Sequence, residues 1–198
     1  MSFEGLIIIL VSAAVVNNFV LIQFLGICPF LGVSKELKSA SGMGFAVMFV
    51  MFFATLVTWP IQIYLLDPNG LSYLQTILFV LIIASLVQFI EIVLKRHVPA
   101  LHVSLGVYLP LMTTNCAIFA VTLMNVQKEY TLVESLVNSI GAGVGFLLAM
   151  VLFSGIRKQI ENADPPECFK GVPLTLIAAA ILSISFFGFS GVIENLFG

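Results

Sequence analysis

Cys28 and Cys116 are the side chains of this sequence best suited to chemistry. Each interrupts a hydrophobic stretch of similar length, each has polar residues just upstream, and they fall in opposite halves of the chain. Thiolates suit iron–sulfur clusters and other soft metals, and a thiol beside a helix N-terminus is helped towards the anion by the partial positive charge there. In the first segment, Asn17 to Phe30, Pro29 would break a continuing helix but fits the first turn of a new one, so Cys28 is expected to cap a half-helix. Gly26 lets the backbone bend or approach another group there. In the second segment, Leu109-Pro110-Leu111-Met112-Thr113-Thr114-Asn115-Cys116-Ala117, Thr114 and Asn115 are good capping residues, and a half-helix is expected to begin near Cys116.

A single such cysteine is more often a small packing residue. Two, matched in depth, in helix breaks and in position, favour ligation, although a disulfide is the other structural possibility and belongs mainly to small secreted domains. A two-iron, two-sulfur cluster needs four thiolates; this chain offers two at that depth, so the remainder must come from a second subunit. Cys168 lies in the Pro165-Pro166-Glu167-Cys168 connector and reads as an ordinary loop thiol, while His97 and His102 flank the start of the fourth span beside Lys95 and Arg96, an interfacial placement.

The elements that carry these residues belong to a bilayer. The chain is 60% hydrophobic and only 9% charged, with a mean hydropathy of +1.14, where a soluble domain carries roughly 25% charged residues. Six apolar stretches of membrane-crossing length fall near residues 5–32, 39–65, 71–94, 98–125, 132–156 and 172–192. Met1 to Glu4 has no positive leader, and the apolar run behind it exceeds a signal core, so it is kept as span one. The connectors are short and polar, with no soluble catalytic domain among them. Lys35, Lys38, Lys95, Arg96, Arg157, Lys158 and Lys170 lie in or beside the loops after spans one, three and five, against Lys128 alone elsewhere, which puts both termini on the outer side.

The expected fold is therefore an all-α integral membrane domain over 1–198, with six transmembrane helices, the first and fourth broken. Similar patterns open spans two and five, Gly42-Met43-Gly44-Phe45 and Gly143-Val144-Gly145-Phe146. Three spans per half make the halves, about 1–96 and 97–198, inverted repeats, an architecture that places a shared site near the midplane. The Gly141 to Gly145 run has the wrong spacing for a dinucleotide loop and reads as a helix-packing surface.

Acidic residues sit in connectors or at span ends. Glu91 is nearest the interior, four residues before Lys95, and reads as half of a boundary ion pair; Glu134 opens span five, where negative charge suits the helix dipole. Neither a Ser-His-Asp grouping, a zinc pattern nor a phosphate loop is present, and nothing points to nucleic acid.

The segments Val16-Asn17-Asn18-Phe19-Val20-Leu21, Phe24 to Lys35, and Leu109 to Ala117 resemble those of the A-type membrane subunits of Rnf complexes, which are similar in turn to the E subunit of sodium-pumping NADH:quinone reductases. The likeness covers essentially the whole chain and is most specific at the two cysteines. It implies one membrane subunit of a translocase in a bacterial inner membrane, with both termini periplasmic and no complete active site of its own. Carried to this sequence, it implies that Cys28 and Cys116 supply two ligands to the iron of a [2Fe-2S] cluster, shared with a homologous E-type membrane subunit of opposite orientation. Other Rnf subunits would carry flavin and further iron–sulfur centres, and electrons would pass between ferredoxin and NAD as sodium ions or protons cross.

Two other classes compete. A small secondary transporter fits the inverted repeats, broken helices and polar residues Asn17, Asn18, Gln23, Thr113 and Asn115. A structural scaffold would use the cysteines for packing alone.

Overall fold

The computed structural model describes residues 3–34, 37–70, 72–97, 113–161 and 171–197, together with Pro166 and Phe169. Among the described residues every regular element is helical. Cys168 and His102 lie outside them, as do residues 98–112 at the front of the fourth span.

Among the described residues three helical segments are long and apolar enough to cross a membrane: Leu37–Leu66, Gln75–Val93 and Leu132–Ile160. They correspond to spans two, three and five. Span one is broken, as expected. Helix α1 (Phe3–Val11) runs into a π-helical turn, Ser12–Val16, irregular backbone follows, and then α2 (Ile27–Val33). Helix α3 (Leu37–Ile61) carries Pro60 near its end and also passes into a π turn, Gln62–Leu66, before the short α4 (Asp67–Asn69). Proline lacks the amide hydrogen of the regular ladder, and a π turn lies directly beyond it. Helix α5 (Gln75–His97) is span three, α6 (Cys116–Gln127) the second part of span four, α7 (Leu132–Glu161) span five and α8 (Val172–Phe197) span six.

Helices α3 and α7 form the centre. In lipid the hydrophobic effect does not draw helices together, so close packing of small side chains must do so. A methyl group on Gly44 would meet Leu147, and one on Gly143 would meet Met48, in each case the residue four places beyond the other glycine. These two contacts run in opposite directions along the helices, as does the Thr55 Oγ1 to Ser139 Oγ bond of 2.6 Å, so α3 and α7 are antiparallel. The reciprocity pairs Gly44 with Gly143, two positions away from the register that aligns the two Gly-x-Gly-Phe motifs.

Around this pair the neighbours exchange in a regular way. The first span packs chiefly on α7, with α8 beside it, and α6 packs chiefly on α3, with α7 and α5 beside it. Ala40, Met43, Val47, Val50, Met51 and Ala54 of α3 are fully enclosed, together with Phe146, Ala149, Met150 and Phe153 of α7. Phe45, Phe49, Ile77, Leu81 and Phe89 point outward, a surface tolerable only against lipid. Glu134 accepts from the Thr131 amide at 3.0 Å and its hydroxyl at 2.9 Å, capping α7 from within. Glu91 is half-buried on α5, but among the described residues no ion pair joins it to Lys95, contrary to the expected boundary pair; the Lys95 side chain is exposed instead, where water or headgroups solvate it.

Candidate functional site

The irregular segment of span one is held by Asn18. This side chain is fully buried; its Nδ2 donates to Ala14 O (3.2 Å) and Gly145 O (2.9 Å), and its Oδ1 accepts from the amides of Val20 (3.1 Å) and Leu21 (3.3 Å). Backbone freed by a helix break inside a membrane must find new partners, and one amide side chain supplies four. Gly145 permits this approach, since a methyl group there would stand 2.7 Å from Ala14 O and 3.2 Å from Asn18 Nδ2. The Ser183 hydroxyl of α8 donates to Leu21 O, and the Leu25 amide closes the loop on Phe19 O at 2.9 Å.

The loop then delivers its chain to α2. Gly26, not Cys28, is the cap: it sits at φ +81°, ψ 24°, a left-handed conformation that costs a residue with a Cβ about 1–2 kcal/mol. Cys28 follows as the second helical residue, with Pro29 behind it in the first turn, where a missing amide hydrogen does no harm. At its far end α2 is tied to α7. Arg157 Nη1 donates to Leu31 O at 2.6 Å and to Ser34 Oγ at 2.9 Å, and the Phe30 and Phe153 rings stack with centroids 4.2 Å apart.

The second break has the expected cap. Asn115 is extended (φ −72°, ψ 107°), and its Oδ1 accepts from the Ala117 amide at 3.0 Å, so α6 starts at Cys116. Thr113 and Thr114 precede it, and Pro110 lies outside the described residues.

The two breaks meet. The Gly26 amide donates to Cys116 Sγ at 2.9 Å, joining residues 90 positions apart, and the same glycine packs against Ala117, Asn115 and Phe146 so closely that a methyl group would stand 3.0–3.2 Å from each. Cys28 and Cys116 are both free thiols, and both are exposed on this chain. Asn115 Nδ2 is buried without a hydrogen-bond partner, which leaves an unused NH₂ group on the residue before Cys116. Among the described residues no group of three or more His, Cys, Asp and Glu side chains converges to hold a metal ion, so the chain's own soft ligands here are two sulfurs.

Of the residues singled out in the sequence, Gly26, Cys116 and Asn115 come together, Cys28 stands two residues beyond Gly26 at the start of α2, and Asn18 holds the backbone that leads to it. Gln23 is half-buried in the loop, and Asn17 is exposed, its Nδ2 reaching Ser12 Oγ at 3.2 Å. Arg157 and Ser183 are parts of this site that sequence reasoning does not find. Arg157 reads only as a marker of sidedness, and a serine among the apolar residues of span six carries no signal of which break it reaches.

A family model described as Rnf-Nqr subunit, membrane protein, matches residues 6–193. A relative from Acetobacterium woodii, the A subunit of its Na(+)-translocating ferredoxin:NAD(+) oxidoreductase complex, is 54% identical over 94% of this chain and 97% of its own length. The A subunit of the ion-translocating oxidoreductase complex of Syntrophotalea carbinolica is 48% identical over 97% of this chain and its whole length, and that of Aliivibrio fischeri 46% identical over 95% and 97%.

Proposed function

The chain belongs to the Rnf-Nqr family of membrane subunits, and from that premise we propose that it is the A-type subunit of an ion-translocating ferredoxin:NAD oxidoreductase in which Cys28 and Cys116 hold half of a [2Fe-2S] cluster. The observation that carries this reading is the Gly26 amide donating to Cys116 Sγ two residues before Cys28, with both thiols free and facing out of the subunit.

The residues present fit such a group in three respects. Two thiolates are soft donors of the right kind, and their exposure leaves room for two more from a homologous E-type subunit. The unused Asn115 Nδ2 offers a hydrogen bond to an electron-rich acceptor. Cys116 stands at the N-terminus of α6, where the helix dipole favours negative charge. When bound, the cluster would take up and give back single electrons at membrane depth, between cofactors on neighbouring subunits.

This chain's own part is to make that charge tolerable and to keep the sulfurs in place. The Gly26 amide, the Asn115 amide group and the start of α6 offset negative charge that apolar surroundings solvate poorly. Asn18, Ser183 and Arg157 fix the backbone on either side of Cys28. The antiparallel α3 and α7 and the exchanged neighbours of the first and fourth spans support an inverted repeat of the two halves. The excess of basic residues at one end supports periplasmic termini in a bacterial inner membrane. Sodium ions or protons would be the coupled cargo.

The test is iron analysis and electron paramagnetic resonance of the purified complex with each cysteine changed in turn. Cys28→Ser and Cys116→Ser should each lose one and the same cluster signal, and Cys168→Ser should keep it. Retention of that signal in either of the first two would reject the assignment.

A further inference from the structure

The end of α3, its π turn and the α6–α7 connection enclose a cavity of about 240 Å³, separate from the cysteine site, lined by Trp59, Gln62, Asp67, Asn125, Glu129 and Tyr130. Its chemistry is lopsided. Apart from the Tyr130 hydroxyl, its side-chain donors are engaged: Trp59 Nε1 donates to Tyr130 O at 2.9 Å, Gln62 Nε2 to Asp67 Oδ1 at 2.7 Å, and Asn125 Nδ2 to Ser135 O and Ser139 Oγ at 3.4 and 3.5 Å. The acceptors are not. Gln62 is only 4% exposed, and its Oε1 is buried without a partner. The carboxylate fixes which way this amide faces, because only its NH₂ end can bond to Asp67. Asn125 Oδ1 takes one bond, from Asn138 at 2.7 Å, and has a second lone pair. Asp67 and Glu129 add carboxylates.

Two backbone features point the same way. Gln62 opens a π turn, a distortion frequent at functional sites, and Glu129 is held at φ +51°, a conformation that side chains other than glycine rarely adopt. Lys128, the nearby cation, lies over the Tyr130 ring, 5.6 Å from its centroid, and lines a different cavity.

Oxygen acceptors with their donors already paired, two of them charged and none of them sulfur or imidazole, are the ligand set of a hard cation. We propose that this cavity binds a hard metal cation such as Na⁺ or Ca²⁺ through Gln62 Oε1 and the carboxylates of Asp67 and Glu129. The site goes beyond the cysteine assignment and does not rest on it.

Trp59, the chain's one tryptophan, stands on the cavity wall and reports on it. The full chain in detergent is titrated with NaCl, KCl, CaCl₂ and MgCl₂, choline chloride keeping ionic strength constant, while Trp59 emission is followed. A saturable change with at least one metal ion is expected, and the ion that saturates lowest identifies the preferred occupant. Glu129→Gln and Asp67→Asn should each raise the half-saturating concentration about tenfold or more, since affinity at such sites follows ligand charge. Glu4→Gln should leave it unchanged. Asp67→Asn weakens the acceptor that a buried amide relies on and can disturb folding, whereas Glu129 is exposed, so its variant keeps the test decisive. A response that choline reproduces, or that Glu129→Gln leaves where it was, overturns the proposal. No iron enters this readout, so its failure and that of the cluster assignment are distinguishable.

Discussion

Replacing Gly26 by alanine tests the join between the two broken spans with a single methyl group. The left-handed backbone at φ +81° costs alanine about 1–2 kcal/mol. The new methyl would also stand 3.0 Å from a Phe146 ring carbon, 3.2 Å from Ala117 Cβ and 3.2 Å from Asn115 Oδ1. None of these can withdraw freely: Phe146 and Ala117 are buried, and Asn115 Oδ1 is engaged in capping α6. Crowding of this kind adds about 1–3 kcal/mol, so the penalty is about 2–5 kcal/mol, concentrated where the two segments touch. The backbone can relieve it only by moving Gly26 away from α6, which draws its amide off Cys116 Sγ. The expected result is a lower thermal midpoint for the complex and partial or complete loss of the cluster signal, measured by circular dichroism melting, iron content and electron paramagnetic resonance. Gly155→Ala is the control: its methyl meets nothing within 4 Å, and in a helix interior alanine gains about 0.5–1 kcal/mol over glycine. If Gly26→Ala melts like the parent and retains its full cluster signal, the argument that this glycine couples the two cysteine segments is wrong.

Two further substitutions probe the supports. Arg157→Ala should free the end of α2 by removing charge-assisted bonds to Leu31 O and Ser34, at a cost of about 1–3 kcal/mol for a half-buried guanidinium; hydrogen exchange should rise across residues 27–34, and Arg157→Lys, which lacks the planar fork, should rescue it only in part. Unchanged exchange would show that the stacking of Phe30 on Phe153 suffices. Asn18→Leu should strand the amides of Val20 and Leu21 and withdraw a donor from Gly145 O, about 1–3 kcal/mol for each group left unpaired, and should lower the yield of folded protein sharply; near-normal yield and melting would mean that the loop finds other partners.

Much of this architecture is legible from residue types. Pro29, Asn115 and the two cysteines mark both breaks, because lipid tolerates irregular backbone only where polar side chains answer it, and hydropathy places the long spans to within a few residues. The meeting of Gly26 with Cys116 is not legible. It depends on a positive φ and on a crossing of helices, neither of which a glycine announces. Arg157 illustrates the same limit: the basic excess accounts for its end of the bundle, but a long side chain can fold back to satisfy another helix's carbonyls, and sequence does not say which. The cavity beside Trp59 escapes a reading of the sequence because Glu129 comes from a different connection than Gln62 and Asp67, and only the folded bundle brings the two segments together.

Asn18 has a bearing on traffic through the bilayer. An amide owns two hydrogens and two lone pairs, and here all four are engaged with backbone. Nothing remains to lend a passing ion in exchange for lost hydration water. Although it is among the most enclosed polar side chains in the chain, it is a rivet rather than a waypoint, and any charged traveller must be handed across by other groups.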